Sequence, residues 1–214
     1  SMKRVGGLII VGIIILIPVL IAFYWHSKEF KYTELPVYST DEMGEEVPYY
    51  IDSFSLIDQN GDVFTREDIG NRVFIANFFF ASCPEVCPTI NGHLKIASQK
   101  LENSTDVLFL SHTVDPYNDT AAVLRAYADK FEVNDDQWKF LTGSKSTIYR
   151  LARDSYKAVI QAVPDTTDFI HSEKVMLVDK DFHVRGIYDG LDITDIMKMI
   201  EDARFLLKTY KDQE

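Results

Sequence analysis

The chain opens with a long apolar run, in which no residue from Val5 to Trp25 carries a charge. A helix over this run would be about 30 Å long, which is the thickness of the hydrocarbon core of a bilayer. The run is longer than the apolar segment of a cleaved signal peptide, and no small-x-small cleavage site follows it. The pattern therefore predicts an uncleaved transmembrane anchor over residues 5–25, preceded by a short tail of residues 1–4.

Residues 26–47 are polar and acidic and show no sustained period, which predicts a linker. Two basic residues lie on each side of the apolar run, so the positive-inside rule gives only a weak preference for its orientation. The simplest arrangement leaves the short tail in the cytoplasm and translocates everything else. We therefore predict a single-pass protein of a bacterial inner membrane, whose folded domain, residues 48–214, lies on the periplasmic side.

The rest of the sequence alternates between two kinds of pattern. Continuous apolar runs such as RVFIANFFF predict strands that are buried on both faces, and amphipathic stretches predict helices. Asn60-Gly61 is a strong signal for a hairpin turn. The predicted elements are a hairpin at Phe54–Thr65, strands at Arg72–Phe80, Asp106–Thr113, Trp138–Leu141, Lys174–Asp179 and Val184–Tyr188, and helices at Thr89–Leu101, Thr120–Phe131, Ser144–Tyr156 and Asp192–Tyr210. This order predicts an α/β domain with a central sheet, helices on both faces and a hairpin formed by the last two strands.

Composition and charge narrow the classes of function. The chain has 22 lysine and arginine residues against 33 aspartate and glutamate residues, a net charge of −11. This balance argues against a nucleic-acid partner, because such binding needs a basic face. Only two cysteines occur, Cys83 and Cys87, too few for a zinc framework or a scaffold of several disulfides. A bridge between them would close a very short loop and stabilise the fold little, so chemistry explains the pair better.

The two cysteines lie at a position that favours reactivity. The segment Cys83-Pro-Glu-Val-Cys87-Pro-Thr follows a predicted buried strand and opens a predicted helix. A helix amino terminus lowers a thiol pKa and favours the thiolate, which is both the nucleophile and the metal ligand. Residues four apart share a helical face, so the two sulfurs are expected to converge on one ion.

Three ordered motifs then resemble one protein family. The segment NFFFASCPEVCPTI is similar to the CPxxCP signature of the Sco/SenC family. The segment from Thr113 to Thr120, TVDPYNDT, resembles the family's VDPxxDTP stretch, and Asp168 to Ser172, DFIHS, resembles its D-x-x-H-S/T element. Order and spacing match from about Val47 to the end of the chain.

The resemblance implies a thioredoxin-like fold, with a central mixed sheet flanked by helices and an amino-terminal transmembrane helix. It also implies a copper site formed by Cys83, Cys87 and His171, in which soft thiolates suit copper(I) and the imidazole helps to hold copper(II). Two kinds of role are open for Asp115. It could support the copper site or dock a partner, or it could simply form a turn or a helix cap. The implied role is a copper chaperone that needs no turnover and delivers copper to the binuclear centre of cytochrome c oxidase subunit II, with an upstream copper donor or thiol reductant as a further partner.

A second hypothesis is a thiol–disulfide oxidoreductase that uses Cys83 and Cys87, which form a redox-active dithiol in either case. His171 separates the two hypotheses, because dithiol exchange does not need it. A peroxidase is disfavoured because Pro84 stands where peroxiredoxins carry a threonine. Among the other histidines, His93 is rotated away from the helical face of Cys87, and His112, at the end of a buried strand, is a weak candidate ligand.

Overall fold

The computed structural model describes residues 16–21, 35–38, 48–102, 104–157 and 172–212. The chain forms two compact units, Ser1–Leu35 and Pro36–Glu214. In the first unit, residues 16–21 are helical. Among the described residues, no helix is both long enough and apolar enough to cross a membrane. Most of the predicted anchor, residues 5–25, and of the predicted linker, residues 26–47, lies outside the described residues, so both stay predictions.

The second unit contains every strand and helix that the sequence pattern predicts for residues 48–214. Most boundaries agree within two residues, and the first helix begins three residues earlier than predicted. The strands are β1 (Ser55–Ile57), β2 (Val63–Thr65), β3 (Val73–Phe79), β4 (Val107–Thr113), β5 (Trp138–Leu141), β6 (Lys174–Val178) and β7 (Val184–Asp189). The helices are α1 (Val86–Lys100), α2 (Ala121–Lys130), α3 (Lys145–Arg150) and α4 (Ile193–Lys211).

Five strands form one mixed sheet in the order β5-β4-β3-β6-β7. Strands β3, β4 and β5 are parallel neighbours, whereas β6 runs antiparallel to β3 and β7 antiparallel to β6. We call the end of the sheet that carries Phe79 and Thr113, the last residues of β3 and β4, the upper end. The lower end carries Val73, Val107 and Val184, the first residues of β3, β4 and β7. The loops that follow β3 and β4 therefore meet at the upper end.

The sheet is covered on both faces, so all residues of β3 and β4 are buried. On one face, Asn77 of β3 donates a hydrogen bond to Asn91 of α1, and α2 and α4 pack on the same side. On the other face, Phe78 contacts Tyr156, which follows α3 in the chain, and the β1–β2 hairpin completes the cover. Neighbouring residues of β3 thus point to different cores, as strand geometry requires.

The predicted helix Ser144–Tyr156 is interrupted. Ser144 caps α3 as expected, accepting a hydrogen bond of 3.1 Å from the Thr147 amide. After Arg150 the chain widens into a π-helical turn, Leu151–Ser155, closed by the Tyr156 amide on the Leu151 carbonyl at 2.9 Å. The extra residue in this turn changes the helical register, and Tyr156 is fully buried against the sheet.

Candidate metal centre

The two cysteines lie at the upper end, where β3 leads into α1. Cys83 belongs to the connecting loop, because α1 begins only at Val86, and Cys87 is the second residue of the helix. The backbone amide of Cys87 donates to the sulfur of Cys83 at 3.3 Å. The expectation that both cysteines share a helical face is therefore wrong. They converge instead because the loop folds the Cys83 sulfur over the first turn of α1.

Both thiols are free and buried, with 6% of Cys83 and 5% of Cys87 exposed. Burial, which is the larger cause, and the hydrogen bond with the Cys83 thiol together raise the pKa of Cys87 to about 12. The prediction of a lowered thiol pKa is thus wrong for Cys87, since desolvation of a thiolate outweighs the helix amino terminus. Among the described residues, no positively charged group shifts the pKa of Cys87. A buried pair of soft donors of this kind fits a soft cation such as copper(I), which displaces the thiol protons when it binds.

A buried carboxylate holds the cysteine loop in place. Asp119, which is 2% exposed, accepts a hydrogen bond of 3.0 Å from the Ala81 amide and another from the Thr113 hydroxyl. Burial raises the pKa of Asp119. The carboxylate joins the loop before Cys83 to the end of β4. Sequence reasoning missed this residue, although it is the last acid of the TVDPYNDT motif.

Asp115 forms the turn that follows β4. Its carboxylate accepts a hydrogen bond of 2.8 Å from the Asn118 side chain. Its carbonyl accepts from the amides of Asn118 and Asp119 at 3.1 and 2.9 Å. Of the roles expected for Asp115, the structure therefore shows turn formation, and this turn places Asp119 against the cysteine loop.

A chain of buried hydrogen bonds anchors α1 one turn beyond Cys87. The Asn91 side chain accepts from Asn77 and donates to the Tyr127 hydroxyl, each at 3.0 Å. Asn77 in turn accepts from the Ser111 hydroxyl at 2.6 Å, and Ser111 accepts from the Trp138 indole at 2.9 Å. Because every link is desolvated, breaking one would leave a costly unpaired group. The network therefore fixes the height and rotation of α1, and with it the position of Cys87.

His171 lies outside the described residues, but the chain that follows it is described. The Glu173 carbonyl accepts a hydrogen bond of 2.7 Å from the Gly190 amide, at the upper end of β7. The Gly190 carbonyl contacts the His93 ring of α1 at 2.8 Å. The segment that leaves His171 is thus held beside α1, at the same end of the sheet as the cysteines. Among the described residues, no three ligand-type side chains form a cluster.

His112 lies on the other side of the sheet from α1. Its ring packs against Phe78 at 5.1 Å, Tyr156 at 5.4 Å and Phe54 at 6.3 Å between ring centroids. Since Asn77 faces α1 and Phe78 faces away from it, a histidine stacked on Phe78 does not reach the cysteines. This position agrees with the prediction that His112 is only a weak candidate for a copper ligand.

Comparison with known proteins identifies the family. The model of the SCO1/SenC family matches residues 43–208, which is most of the chain. The chain belongs to the SCO1/SenC family. One SCO1/SenC relative is the SCO1 protein homolog of Bacillus subtilis, 30% identical over 165 residues, which make up 76% of this chain and 86% of the relative. The resemblance that the three motifs indicated is confirmed.

Solved SCO1/SenC structures share the fold. BsSco, described as a Sco-family cytochrome c oxidase assembly protein with a disulfide switch, has a TM-score of 0.63 and 30% identity, covering 76% of this chain and 97% of that one. Arabidopsis thaliana ScoI with copper bound has a TM-score of 0.59 and 27% identity, covering 72% and 97%. The predicted thioredoxin-like α/β fold with a mixed central sheet is confirmed.

Proposed function

We propose that this protein binds copper and acts in the assembly of cytochrome c oxidase. The observation that carries the proposal is the pair of free, buried thiols at the start of α1, with the Cys83 sulfur 3.3 Å from the Cys87 amide. Support comes from the family, in which a ScoI structure holds copper and BsSco is described as an oxidase assembly protein.

We propose Cys83, Cys87 and His171 as the copper ligands. The loop and the first turn of α1 place the two sulfurs together, and the Glu173–Gly190 hydrogen bond holds the chain after His171 at the same end. Two thiolates are sufficient for copper(I), which accepts a linear site. Copper(II) needs the harder imidazole nitrogen as well.

The specific destination that we propose is the binuclear copper centre of cytochrome c oxidase subunit II. Delivery requires binding that is tight yet exchangeable, and the exposed Ser82 and Pro84 beside Cys83 leave this part of the loop open to a partner. We further propose that residues 5–25 anchor the chain in a bacterial inner membrane, with the copper site on the periplasmic side. An upstream copper donor or thiol reductant would prepare the site for each delivery.

Copper loading of purified protein tests the ligand set. Reduced wild-type protein should bind one copper per chain, and Cys83→Ser and Cys87→Ser should each abolish binding of both oxidation states. His171→Ala should retain copper(I) and lose stable copper(II). Ser82→Ala is the matched control, because Ser82 is exposed beside Cys83 and should bind copper as the wild type does. Undiminished loading of either cysteine variant would refute the assignment.

Thiol–disulfide exchange is the second candidate function, favoured by the closeness of the two free thiols and by the disulfide switch described for BsSco. Exchange needs one attacking thiol and one resolving thiol, and no imidazole. Oxidase assembly in cells separates the two functions. If copper delivery is the function, His171→Ala should fail together with the cysteine variants. If exchange is the function, His171→Ala should assemble the oxidase normally.

The anchor is tested separately by membrane fractionation. The intact protein should remain with membranes during extraction with alkaline carbonate, as an integral segment does. Release of full-length protein by carbonate, or a mature amino terminus beyond Trp25, would refute the anchor without affecting the copper assignment.

A further inference from the structure

A cavity of about 600 Å³ opens at the lower end of the sheet, between the end of α1, the approach to β4 and the last turns of α4. The charged residues that line it are Lys100, Arg204, Lys208 and Lys211, together with Asp106 and Asp212. Four cations against two carboxylates give the cavity a formal charge of +2. The chain as a whole carries −11, so the remainder carries −13. The cavity is thus a positively charged patch on a chain that is otherwise acidic.

The four cations of this cavity lack ion-pair partners among the described residues. In the part of the chain that the structure describes, none of the four makes an ion pair. Arg204 donates to the Lys100 carbonyl at 2.8 Å, which holds its guanidinium at the rim. Lys100, Lys208 and Lys211 are exposed. Lys180, which lines an adjoining cavity with Lys211, adds a fifth positive charge. The site is therefore arranged for an anion from outside the chain.

The chain from the amino terminus joins the domain at this same end. The Tyr38 amide donates to the Val184 carbonyl at 2.9 Å, and the Arg185 side chain donates to the Pro36 carbonyl at 3.1 Å. Val184 is the first residue of β7, which begins at the lower end. The cysteines lie at the opposite end of α1, whose 15 residues span about 22 Å.

We propose that this basic cavity binds the phosphate groups of anionic phospholipids at the surface of the membrane into which residues 5–25 insert. The inference rests on the proposed anchor. Lysine and arginine side chains close to an anionic membrane surface are attracted to it. The three lysines and one arginine of the cavity can also donate hydrogen bonds to phosphodiester oxygens. Binding in this way leaves the copper site, at the opposite end of α1, free to meet a partner.

Lysine footprinting of the full-length protein in nanodiscs tests the proposal. One set of discs contains phosphatidylcholine alone, and the other contains phosphatidylcholine with phosphatidylglycerol. In the anionic discs at low salt, acylation of Lys100, Lys208 and Lys211 should be about fivefold slower than in the neutral discs. Lys145 and Lys174, at the upper end, are internal controls and should react equally in both. High salt should remove the protection, because surface electrostatics are screened.

Matched variants identify the groups responsible. The double variant Lys208→Gln/Lys211→Gln removes two exposed charges from the cavity and should abolish the protection of Lys100. The control Lys145→Gln/Lys174→Gln removes two charges at the upper end and should leave that protection intact. Both double variants should bind copper as the wild type does, since neither alters the proposed ligands.

Each adverse outcome has a distinct meaning. Equal reactivity of the cavity lysines in both kinds of disc would overturn the proposal. Protection of Lys100 by soluble glycerol phosphate at equal phosphate concentration would also overturn it, in favour of a free phosphate ligand. Failure of the protein to enter either disc would refute the anchor and the proposal with it, and copper loading would still test the copper site independently.

Discussion

Substitution of His112 should change how the stability of the protein depends on pH. His112 is fully buried among the rings of Phe54, Phe78 and Tyr156. Among the described residues, neither of its ring nitrogens has a hydrogen-bond partner. Protonation would place an uncompensated charge in this apolar core, and burial therefore lowers the pKa of His112 from its ordinary 6.5 to about 4.

The lowered pKa fixes the sign and the pH range of the effect. Between pH 6.5 and 4 the unfolded chain binds a proton at His112 that the folded chain does not bind, so stability falls as pH falls. Each pH unit in this interval costs about 1.4 kcal/mol, which gives a total loss of about 3 kcal/mol. The penalty is absent above pH 6.5. His112→Leu removes it and also removes two unsatisfied buried nitrogens, so at pH 7 the variant should be more stable by about 1–3 kcal/mol.

Urea unfolding of the full-length protein in mild detergent, followed by fluorescence of the buried Trp138, measures the effect at several pH values. The difference in unfolding free energy between His112→Leu and wild type should widen by about 3 kcal/mol from pH 7 to pH 4. Leu110→Val, on the same strand and facing the same core, is the control. It should lower stability by a similar amount at every pH. A wild-type pH profile that His112→Leu leaves unchanged would refute the reasoning.

Two further substitutions test the supports of the metal centre. Asp119→Ala leaves the part-buried amide of Ala81 and the buried hydroxyl of Thr113 without their acceptor, so it should lower the unfolding free energy by about 2–4 kcal/mol. Asp119→Asn should retain most of that stability, and urea unfolding measures both variants. Gly190→Ala places a Cβ 2.8 Å from the Glu173 carbonyl, which must move the chain beside His171. It should weaken copper(II) binding in a competition titration and leave copper(I) unchanged, and equal weakening of both oxidation states would contradict this explanation.

The sequence pattern predicted the fold well where burial is continuous. The runs that became β3 and β4 are buried on both faces, and the predicted strand Trp138–Leu141 has the boundaries of β5. The hairpin was predictable because Asn60-Gly61 supplies a turn with positive φ, and Gly61 has φ of 86°. The SCO1/SenC motifs were predictable because each is local in sequence.

Features that depend on contacts between distant segments were not predictable. The π-helical turn before Tyr156 follows from the burial of that ring beside Phe78, which no local pattern reveals. The raised pKa of Cys87 follows from desolvation of the thiol in the folded state. The sequence shows only that the residue lies at a helix amino terminus, which by itself would lower the pKa. Asp119 acts on a loop 38 residues away in the sequence. Each error thus arises where the tertiary environment of a side chain outweighs its local one.

X-ray absorption at the copper edge tests the proposed copper ligands most directly. Full-length protein loaded with copper(I), and separately with copper(II), should show two sulfur scatterers, with a nitrogen scatterer of imidazole type in the copper(II) form. His171→Ala loaded with copper(I) should keep both sulfurs. After treatment with copper(II), this variant should retain no stable copper, so it should show neither an imidazole signal nor a thiolate-to-copper absorption band. A wild-type copper site with fewer than two sulfur ligands, or an imidazole signal that persists in His171→Ala, would contradict the assignment of Cys83, Cys87 and His171.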